Sequence, residues 1–242
     1  MSDILNEPEN VLENRQASPD FSHVDTWIFD LDNTLYPSRC NLFAQVDQRM
    51  SAFIADYLRV DPVEARRIQK LYYVEHGTTL NGLMKEHGMK PEAFLDYVHD
   101  IDVSMLEANK RLSKAIDRLK GRKLVLTNGS RGHALNVTGQ LGLTDHFDEF
   151  YGIEALGYAP KPHAAAYDRF LELSGTEPLR AAMFEDIARN LEVPHTLGMT
   201  TVLVRPQLHP DAARHEKLAH EGADGPHVHH VTDTLEDFLE TL

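Results

Sequence analysis

Asp30 and Asp32, which directly follow the apolar run at residues 24–29, have the types and spacing that most clearly suggest chemistry. Two residues apart at the end of a strand, they face the same side about 6.5 Å apart, and a phosphoryl group fits between them. An ionised Asp30 can attack phosphorus and form an aspartyl-phosphate. Asp32 can protonate the leaving oxygen and then activate a water molecule. Because two neighbouring carboxylates raise the pKa of one of them, such a pair suits an acid near neutral pH.

Three further polar clusters follow apolar segments later in the chain. They are Thr127-Asn128-Gly129, Lys161-Pro162 and Glu185-Asp186. In open parallel sheets, ligands bind beyond the carboxyl ends of the strands, so these clusters are predicted to meet Asp30 and Asp32 there. Taken singly, each has a plainer explanation as a turn or a helix cap. Four coincidences on one sheet edge are a poorer explanation than one shared site.

A phosphate placed against two carboxylates needs a cation to offset the repulsion between anions. Mg²⁺ binds carboxylate oxygens together with substrate phosphate, so Asp30 and Asp186 are the predicted metal ligands. Glu185 is predicted to hold a metal-bound water. Lys161 supplies a second positive charge to the phosphate oxygens.

The phosphate oxygens also need hydrogen-bond donors, and the cluster Thr127-Asn128-Gly129 is predicted to supply them. Thr127 offers its side chain, and the backbone N–H groups of Asn128 and Gly129 lie at a predicted helix start, where anions bind readily. These three residues are the predicted phosphate cradle.

The elements that must position these residues form an α/β pattern. Short apolar runs alternate with helical segments from residue 121 onward, which is typical of a parallel sheet with helices on both faces. The predicted strands lie at residues 24–29, 123–126, 149–151, 181–184 and 201–204, with an edge strand at 228–231 and a terminal helix at 234–239.

A long helical block interrupts this pattern after its first strand. Apolar residues recur at three- and four-residue spacing from about residue 41 to 120, as on one face of a helix. We predict an inserted all-helical cap domain at 41–120 and a core made of 23–40 and 121–242. The polar segment at 1–22 is predicted to be a mobile arm.

These motifs together resemble those of the haloacid dehalogenase superfamily, in the branch with a helical cap inserted after the first motif. Residues 30–34 match its DxDxT motif. Thr127, Lys161 and Glu185-Asp186 match its Ser/Thr, Lys and acidic motifs, in the same order and in similar strand contexts. The resemblance covers about residues 24–205.

The resemblance implies a Rossmann-like core and a Mg²⁺-dependent phosphatase. It also implies that the main-chain carbonyl of Asp32 binds the metal. The dehalogenases of the superfamily lack the second aspartate, so the presence of Asp32 disfavours dehalogenation.

Within that superfamily, residues 29–37 and 76–83 resemble the pyrimidine 5′-nucleotidase group. This implies a pyrimidine nucleoside 5′-monophosphate as the substrate and His76, Thr78 and Thr79 as candidate specificity residues in the cap. A helix cap explains the two threonines equally well, and a surface position explains His76 equally well.

Other functions remain open beside this hypothesis. A sugar-phosphate or phosphoglycolate-type phosphatase and a phosphomutase use the same chemistry on another substrate. A non-catalytic binding protein on the same scaffold is the alternative from a different class. It has no chemical need for Asp30, Asp32, Lys161 and Asp186 together.

The composition narrows the range of partners. A formal net charge of −14 disfavours binding to nucleic acid polymers but not to a small phosphorylated metabolite. No apolar run approaches the roughly 20 residues that span a membrane, and the N-terminus lacks the features of a secretory signal. Cys40 is the only cysteine, so an internal disulfide is excluded. We therefore expect a cytoplasmic protein.

Histidines are concentrated near the C-terminus. They are His209, His215, His220, His227, His229 and His230. His227 and His229 would share one face of a strand, so a zinc site is conceivable, but the spacing fits no standard ligand pattern. A solvated polar segment is the favoured explanation.

Overall fold

The computed structural model of the protein describes residues 20–205 and 221–242. The predicted mobile arm at 1–22 lies almost entirely outside the described residues, as do His209, His215 and His220. No helix in the described ranges is long and apolar enough to cross a membrane.

Six parallel strands form a sheet in the order β3-β2-β1-β4-β5-β6. They are β1 (Thr26–Phe29), β2 (Arg122–Leu126), β3 (Glu149–Tyr151), β4 (Ala181–Glu185), β5 (Thr200–Val204) and β6 (His230–Thr232). Phe29 pairs with Val125 of β2 on one side and with Phe184 of β4 on the other. The carboxyl ends of β1, β2 and β4 therefore lie side by side at the same edge of the sheet. The strand order reverses at β1, where doubly wound sheets bind ligands.

The described residues also form nine α-helices. They are α1 (Leu42–Leu58), α2 (Pro62–His76), α3 (Thr79–His87), α4 (Pro91–Val98), α5 (Lys110–Arg118), α6 (Arg131–Leu141), α7 (Ala164–Ser174), α8 (Glu192–Thr196) and α9 (Leu235–Leu239). Short 3₁₀ turns lie at Ser38–Cys40, Thr144–His146, Pro178–Arg180 and Ala188–Leu191.

Both faces of the sheet are buried, which explains why its strands are near-continuous apolar runs. Successive residues of a strand point to opposite faces, so Trp27 and Phe29 belong to one hydrophobic cluster and Ile28 to the other. Residues of α5, α6 and α9 complete the first cluster, and residues of α7 and of the turn at Ala188–Leu191 complete the second. The predicted parallel α/β sheet with helices on both faces is confirmed.

Helices α1 to α4 have a hydrophobic cluster of their own, which includes Ile54, Leu83 and Phe94. We call residues 42–98 the helical unit. Ile153, from the loop after β3, belongs to the same cluster, so the unit packs directly against the loops at the carboxyl end of the sheet.

Helix α5 packs on the sheet and not on the helical unit. Its buried residues Leu112, Ala115 and Ile116 belong to the cluster on the first face of the sheet. Although the sequence pattern assigns all of 41–120 to one inserted domain, we therefore propose that the insertion corresponds to the helical unit and that α5 belongs to the core.

Candidate active site

Three carboxylates meet where β1 and β4 end side by side. Asp30 directly follows β1, Glu185 is the last residue of β4, and Asp186 comes next. The Asp30 amide donates to the Phe184 carbonyl at 2.9 Å, so Asp30 is still held in the register of the sheet. All three side chains are buried, and one oxygen of each lies within 4.8 Å of the others. The structure therefore brings these three predicted residues together.

Lys161 lies in the segment between β3 and α7 and reaches into this cluster. Its Nζ donates to Asp30 Oδ1 at 2.6 Å, to Glu185 Oε2 at 2.7 Å and to the Leu126 carbonyl at 2.8 Å. Burial opposes the charge, but the two carboxylates outweigh it and raise the pKa of the ammonium group. Lys161 is thus a fully paired, buried cation.

The backbone of Lys161 is held by the side chain of Asn128, from the loop after β2. The Lys161 amide donates to Asn128 Oδ1 at 2.8 Å, and Asn128 Nδ2 donates to the Lys161 carbonyl at 3.1 Å. The sequence suggests only a backbone role for Asn128. Its side chain joins two loops that lie 33 positions apart in the chain.

The acidic cluster carries more negative charge than Lys161 offsets. Burial and the Glu185 carboxylate raise the pKa of Asp30 to about 7 and also raise the pKa of Asp186. Glu185 is already paired, through Oε2 with Lys161 and through Oε1 with the Ile187 N–H at 3.2 Å. Carboxylate oxygens are the ligands that Mg²⁺ prefers, so the donor set fits this ion, with Asp30 and Asp186 as the residues that would bind it.

Asp32 lies at the edge of the cluster with 22% of its side chain exposed. Its Oδ1 accepts hydrogen bonds from the Tyr36 hydroxyl at 2.7 Å and from His133 Nε2 at 2.9 Å. Burial would raise the pKa of Asp32, but the charge and hydrogen bond of His133 outweigh it and lower the pKa to about 2. The aspartates with raised pKa values are therefore Asp30 and Asp186, and not the predicted acid Asp32.

Two histidines that the sequence pattern does not reveal complete the surroundings of Asp32. His133, in the first turn of α6, stacks on His99 with ring centroids 4.5 Å apart and planes 14° apart. Ser130 accepts from the His133 amide at 3.1 Å as the α6 cap, and its hydroxyl also hydrogen-bonds His99 Nδ1 at 2.9 Å. The cap residue Ser130 is a local sequence signal for the helix start, but His99, which follows α4, has no comparable signal.

The predicted phosphate cradle is a tight loop after β2. The Thr127 amide donates to the Tyr151 carbonyl at 3.0 Å, and Thr127 Oγ1 accepts from the Gly129 amide at 2.9 Å. A Cβ at Gly129 would lie 3.1 Å from the His133 ring, so a glycine suits this close approach. The Gly129 amide is used within the loop, and its role as a phosphate donor stays a prediction.

The two candidate specificity threonines have partners inside the helical unit. Thr78 Oγ1 accepts from the Asn81 amide at 3.1 Å and so caps α3. Thr79 is buried, and its hydroxyl donates to the Gln69 carbonyl of α2 at 3.1 Å. The structure gives both hydroxyls a structural partner and does not bring them to the carboxylates.

His76 also has partners within the helical unit. Its ring lies edge-on to Tyr72 with centroids 5.6 Å apart, and its Nε2 is 3.6 Å from a Glu86 oxygen. The next residue, Gly77, lies close to the core, since a Cβ there would lie 2.9 Å from His163 Nε2. The turn at Gly77 therefore touches the segment that carries Lys161.

His229, one of the described histidines near the C-terminus, pairs with Thr201 and His195, outside the acidic cluster. The Thr201 amide donates to His229 Nδ1 at 3.1 Å, so the proton of a neutral His229 lies on Nε2. That nitrogen is 3.1 Å from His195 Nδ1, to which it donates. A zinc ion at His229 Nε2 would compete with this proton. In the described ranges, a group of three possible metal-ligating side chains occurs only at Asp30 and its two acidic neighbours.

The sequence matches a family model described as haloacid dehalogenase-like hydrolase over residues 24–195. Among curated proteins, Phosphate metabolism protein 8 of Saccharomyces cerevisiae is 31% identical over 134 residues. That match covers 50% of this chain and 41% of the yeast protein, so it spans less than half of that relative's length.

Solved structures show the same architecture. HAD phosphatase from Thermococcus onnurineus has a TM-score of 0.57 at 18% identity, covering 90% of this chain and 97% of that one. β-Phosphoglucomutase from Clostridium difficile has a TM-score of 0.55 at 14% identity, covering 88% and 92%. L-2-haloacid dehalogenase from Xanthobacter autotrophicus has a TM-score of 0.52 at 16% identity, covering 90% and 97%. At these identities the likeness establishes the fold alone.

Proposed function

The chain belongs to the haloacid dehalogenase-like hydrolase family, and from that premise we propose that it is a Mg²⁺-dependent phosphomonoesterase. The observation that carries the proposal is the convergence of Asp30, Asp186 and a fully paired Lys161 at the switch point of the sheet, with Asp32 beside them. Phosphoryl transfer through an aspartyl-phosphate needs a nucleophilic carboxylate, a second carboxylate for proton transfer and positive charge beside them. Asp30, Asp32 and Lys161 meet these needs, and the remaining negative charge of Asp186 is available to bind a metal ion.

The reaction has two steps. Asp30 attacks phosphorus through its carboxylate, and the bond from phosphorus to the leaving oxygen breaks as Asp32 gives that oxygen a proton. Water then attacks the phosphorus of the aspartyl-phosphate while Asp32 takes a proton from that water. The bond between phosphorus and Asp30 breaks, which regenerates the Asp30 carboxylate and releases inorganic phosphate. Lys161 holds Asp30 through Oδ1 in both steps.

The site needs a divalent cation for charge balance. Asp30 and Asp186 would hold Mg²⁺ directly, the main-chain carbonyl of Asp32 would join them, and Glu185 would hold a metal-bound water. When bound, Mg²⁺ supplies the positive charge that lets a phosphate dianion approach the carboxylates. Burial and the Glu185 carboxylate raise the pKa values of Asp30 and Asp186, and these shifts support the proposal because a bound cation would stabilise the two buried negative charges.

The proposed substrate is a small phosphorylated metabolite, specifically a pyrimidine nucleoside 5′-monophosphate. The helical unit would act as a cap that shields the reaction from water and contacts the substrate beyond its phosphate. The contact between the turn at Gly77 and His163 supports a cap role, since it places the unit beside the loop of Lys161. Base preference rests on the likeness of residues 29–37 and 76–83 to the nucleotidase group.

A sugar-phosphate phosphatase, a phosphoglycolate-type phosphatase or a phosphomutase would use the same carboxylates, and a panel of substrates separates these functions. We expect UMP, CMP and dTMP to be hydrolysed faster than AMP, GMP or sugar phosphates. A preference for sugar phosphates, or equal rates with every base, would overturn the nucleotidase assignment while leaving the phosphatase chemistry intact.

The chemistry itself is tested with p-nitrophenyl phosphate. Turnover should require Mg²⁺ and vanish with EDTA, and Asp30→Asn should reduce it to background. Asp56→Asn, an exposed position in α1, is the matched control and should keep full turnover. Activity that persists in EDTA would refute the metal assignment. Substantial activity in Asp30→Asn would refute the nucleophile, and a non-catalytic binding protein would show no turnover at all.

A further inference from the structure

Asp32 is held asymmetrically. Both of its donors, the Tyr36 hydroxyl at 2.7 Å and His133 Nε2 at 2.9 Å, reach the same oxygen, Oδ1. Within the described parts of the chain, no hydrogen bond reaches Oδ2. A carboxylate with two donors on one oxygen has its plane and its rotamer fixed, and its other oxygen is directed away from those donors.

The donors are themselves fixed in place. Tyr36 is buried, and burial together with the Asp32 charge keeps the pKa of its hydroxyl well above the usual range, so it remains a donor. The His133 ring is stacked on His99, and it has Gly129 close beside it, where a Cβ would lie 3.1 Å away. Neither donor can move far without disturbing the packing around it.

We propose that Tyr36 and His133 are positioning residues that occupy Asp32 Oδ1 together, so that Oδ2 is the oxygen that carries the proton to and from the substrate. This inference rests on the proposed phosphatase function and assigns an atom within it. The proton leaves Oδ2 for the leaving oxygen as the phosphorus–oxygen bond breaks. It returns to Oδ2 from the attacking water, while Oδ1 keeps its two donors throughout.

The arrangement makes a specific demand on the substrate. An ester with a good leaving group needs little protonation, whereas an alkyl ester needs the proton at the right place as the bond breaks. Loss of a positioning donor should therefore harm the alkyl ester more than the aryl ester. A general loss of structure would harm both equally.

The experiment measures kcat/KM for p-nitrophenyl phosphate, phenyl phosphate and ethyl phosphate with Mg²⁺ present. Tyr36→Phe removes one donor and keeps the buried ring. His133→Met removes the other donor and keeps bulk, and His133→Gln restores an N–H donor in a similar place. Asp32→Asn, alone and combined with Tyr36→Phe, completes a double-mutant cycle.

For Tyr36→Phe and His133→Met, we expect kcat/KM to fall about tenfold to hundredfold with ethyl phosphate and by no more than about threefold with p-nitrophenyl phosphate. Phenyl phosphate should lie between them. His133→Gln should recover most of the loss. In the Asp32→Asn background, Tyr36→Phe should have no further effect, because the group it positions can no longer transfer a proton.

Parallel losses on all three esters in an enzyme whose wild type is active would overturn the positioning role alone. The same conclusion follows if His133→Gln is no better than His133→Met, or if Tyr36→Phe adds its full effect to Asp32→Asn. A wild type that hydrolyses none of the esters would instead overturn the proposed function, and this inference with it.

Discussion

Lys161 has three ammonium protons and three hydrogen-bond acceptors, and these contacts stabilise the charge of the buried acids. Two of the acceptors are carboxylates, Asp30 and Glu185, and the third is the Leu126 carbonyl. A buried ion is stable only when it is paired and hydrogen-bonded. Lys161 offsets one charge, so the remaining negative charge around Asp186 can be relieved either by protonation, which the raised pKa favours, or by the proposed metal ion.

The position of Lys161 depends on Asn128, which leads to the first prediction at the residue scale. Asn128→Ala removes both hydrogen bonds to the Lys161 backbone and should lower the free energy of unfolding by about 1–2 kcal/mol. A displaced ammonium group no longer orients Asp30, so kcat should fall by about 10²-fold. Turnover of p-nitrophenyl phosphate and urea unfolding measure the two effects.

Asn136→Ala, at an exposed position of α6, is the control and should change neither quantity. Asn128→Asp keeps the acceptor for the Lys161 amide and loses the donor, so its kcat should lie between those of wild type and alanine. If Asn128→Ala keeps wild-type kcat, then Lys161 orients Asp30 without the two hydrogen bonds from the Asn128 side chain.

The sequence predicts the identities of the site residues better than their partners. Asp30, Lys161, Glu185 and Asp186 belong to motifs whose strand context is local, so their meeting could be expected from the order of the elements. The side-chain contacts of Asn128 join segments that are far apart in the chain, and no periodicity encodes such a contact. The same holds for His133 and Asp32, which are 101 positions apart.

At the scale of elements, the second prediction concerns Thr78, the N-terminal cap of α3. Thr78→Ala removes the acceptor for the Asn81 amide and should lower the free energy of unfolding by about 1 kcal/mol. Because the hydroxyl has this structural partner, the ratio of kcat/KM between UMP and AMP should not change. Thermal unfolding and the two nucleotide assays measure the outcome.

Thr78→Ser is the matched control, since it keeps the capping hydroxyl and should keep wild-type stability. A specificity role would appear in a different way. If Thr78→Ala retains its stability but loses its preference between the two nucleotides, the hydroxyl contacts the substrate and the structural explanation fails.

Some helix starts have a local signal in the sequence. Asp61 before Pro62 is typical of a helix start, and the Asp61 side chain accepts hydrogen bonds from the amides of Val63 and Glu64 at the start of α2. Such signals do not predict the packing partner of α5, because helical periodicity reveals an apolar face but not the surface that this face packs against. The apolar face of α5 is Leu112, Ala115 and Ile116, and it packs on the sheet rather than on the helical unit.

At the scale of the whole molecule, the charge of the site is linked to the stability of the fold. Burial and Glu185 raise the pKa of Asp30 from 3.8 to about 7 in the metal-free protein. A carboxyl group whose pKa is raised by folding contributes its full stability below the unfolded pKa, and that contribution is lost as the pH rises through the folded pKa. The metal-free fold should therefore lose stability through Asp30 between about pH 4 and pH 7.

The third prediction compares wild type with Asp30→Asn in EDTA, because asparagine resembles the protonated aspartate and does not titrate. The two should have similar stability near pH 4.5, and the asparagine variant should become the more stable one as the pH rises to 7.5. The difference should reach a few kcal/mol, since each pKa unit corresponds to about 1.4 kcal/mol. Asp30 also helps to raise the pKa values of Asp186 and His133, so the difference between the two curves reports the titration of Asp30 together with its effect on these two groups. Added Mg²⁺ should stabilise wild type more than the variant at pH 7.5, because it binds the ionised carboxylate. A difference that stays constant with pH would mean that Asp30 is already ionised in the metal-free fold, so that Lys161 alone offsets its charge.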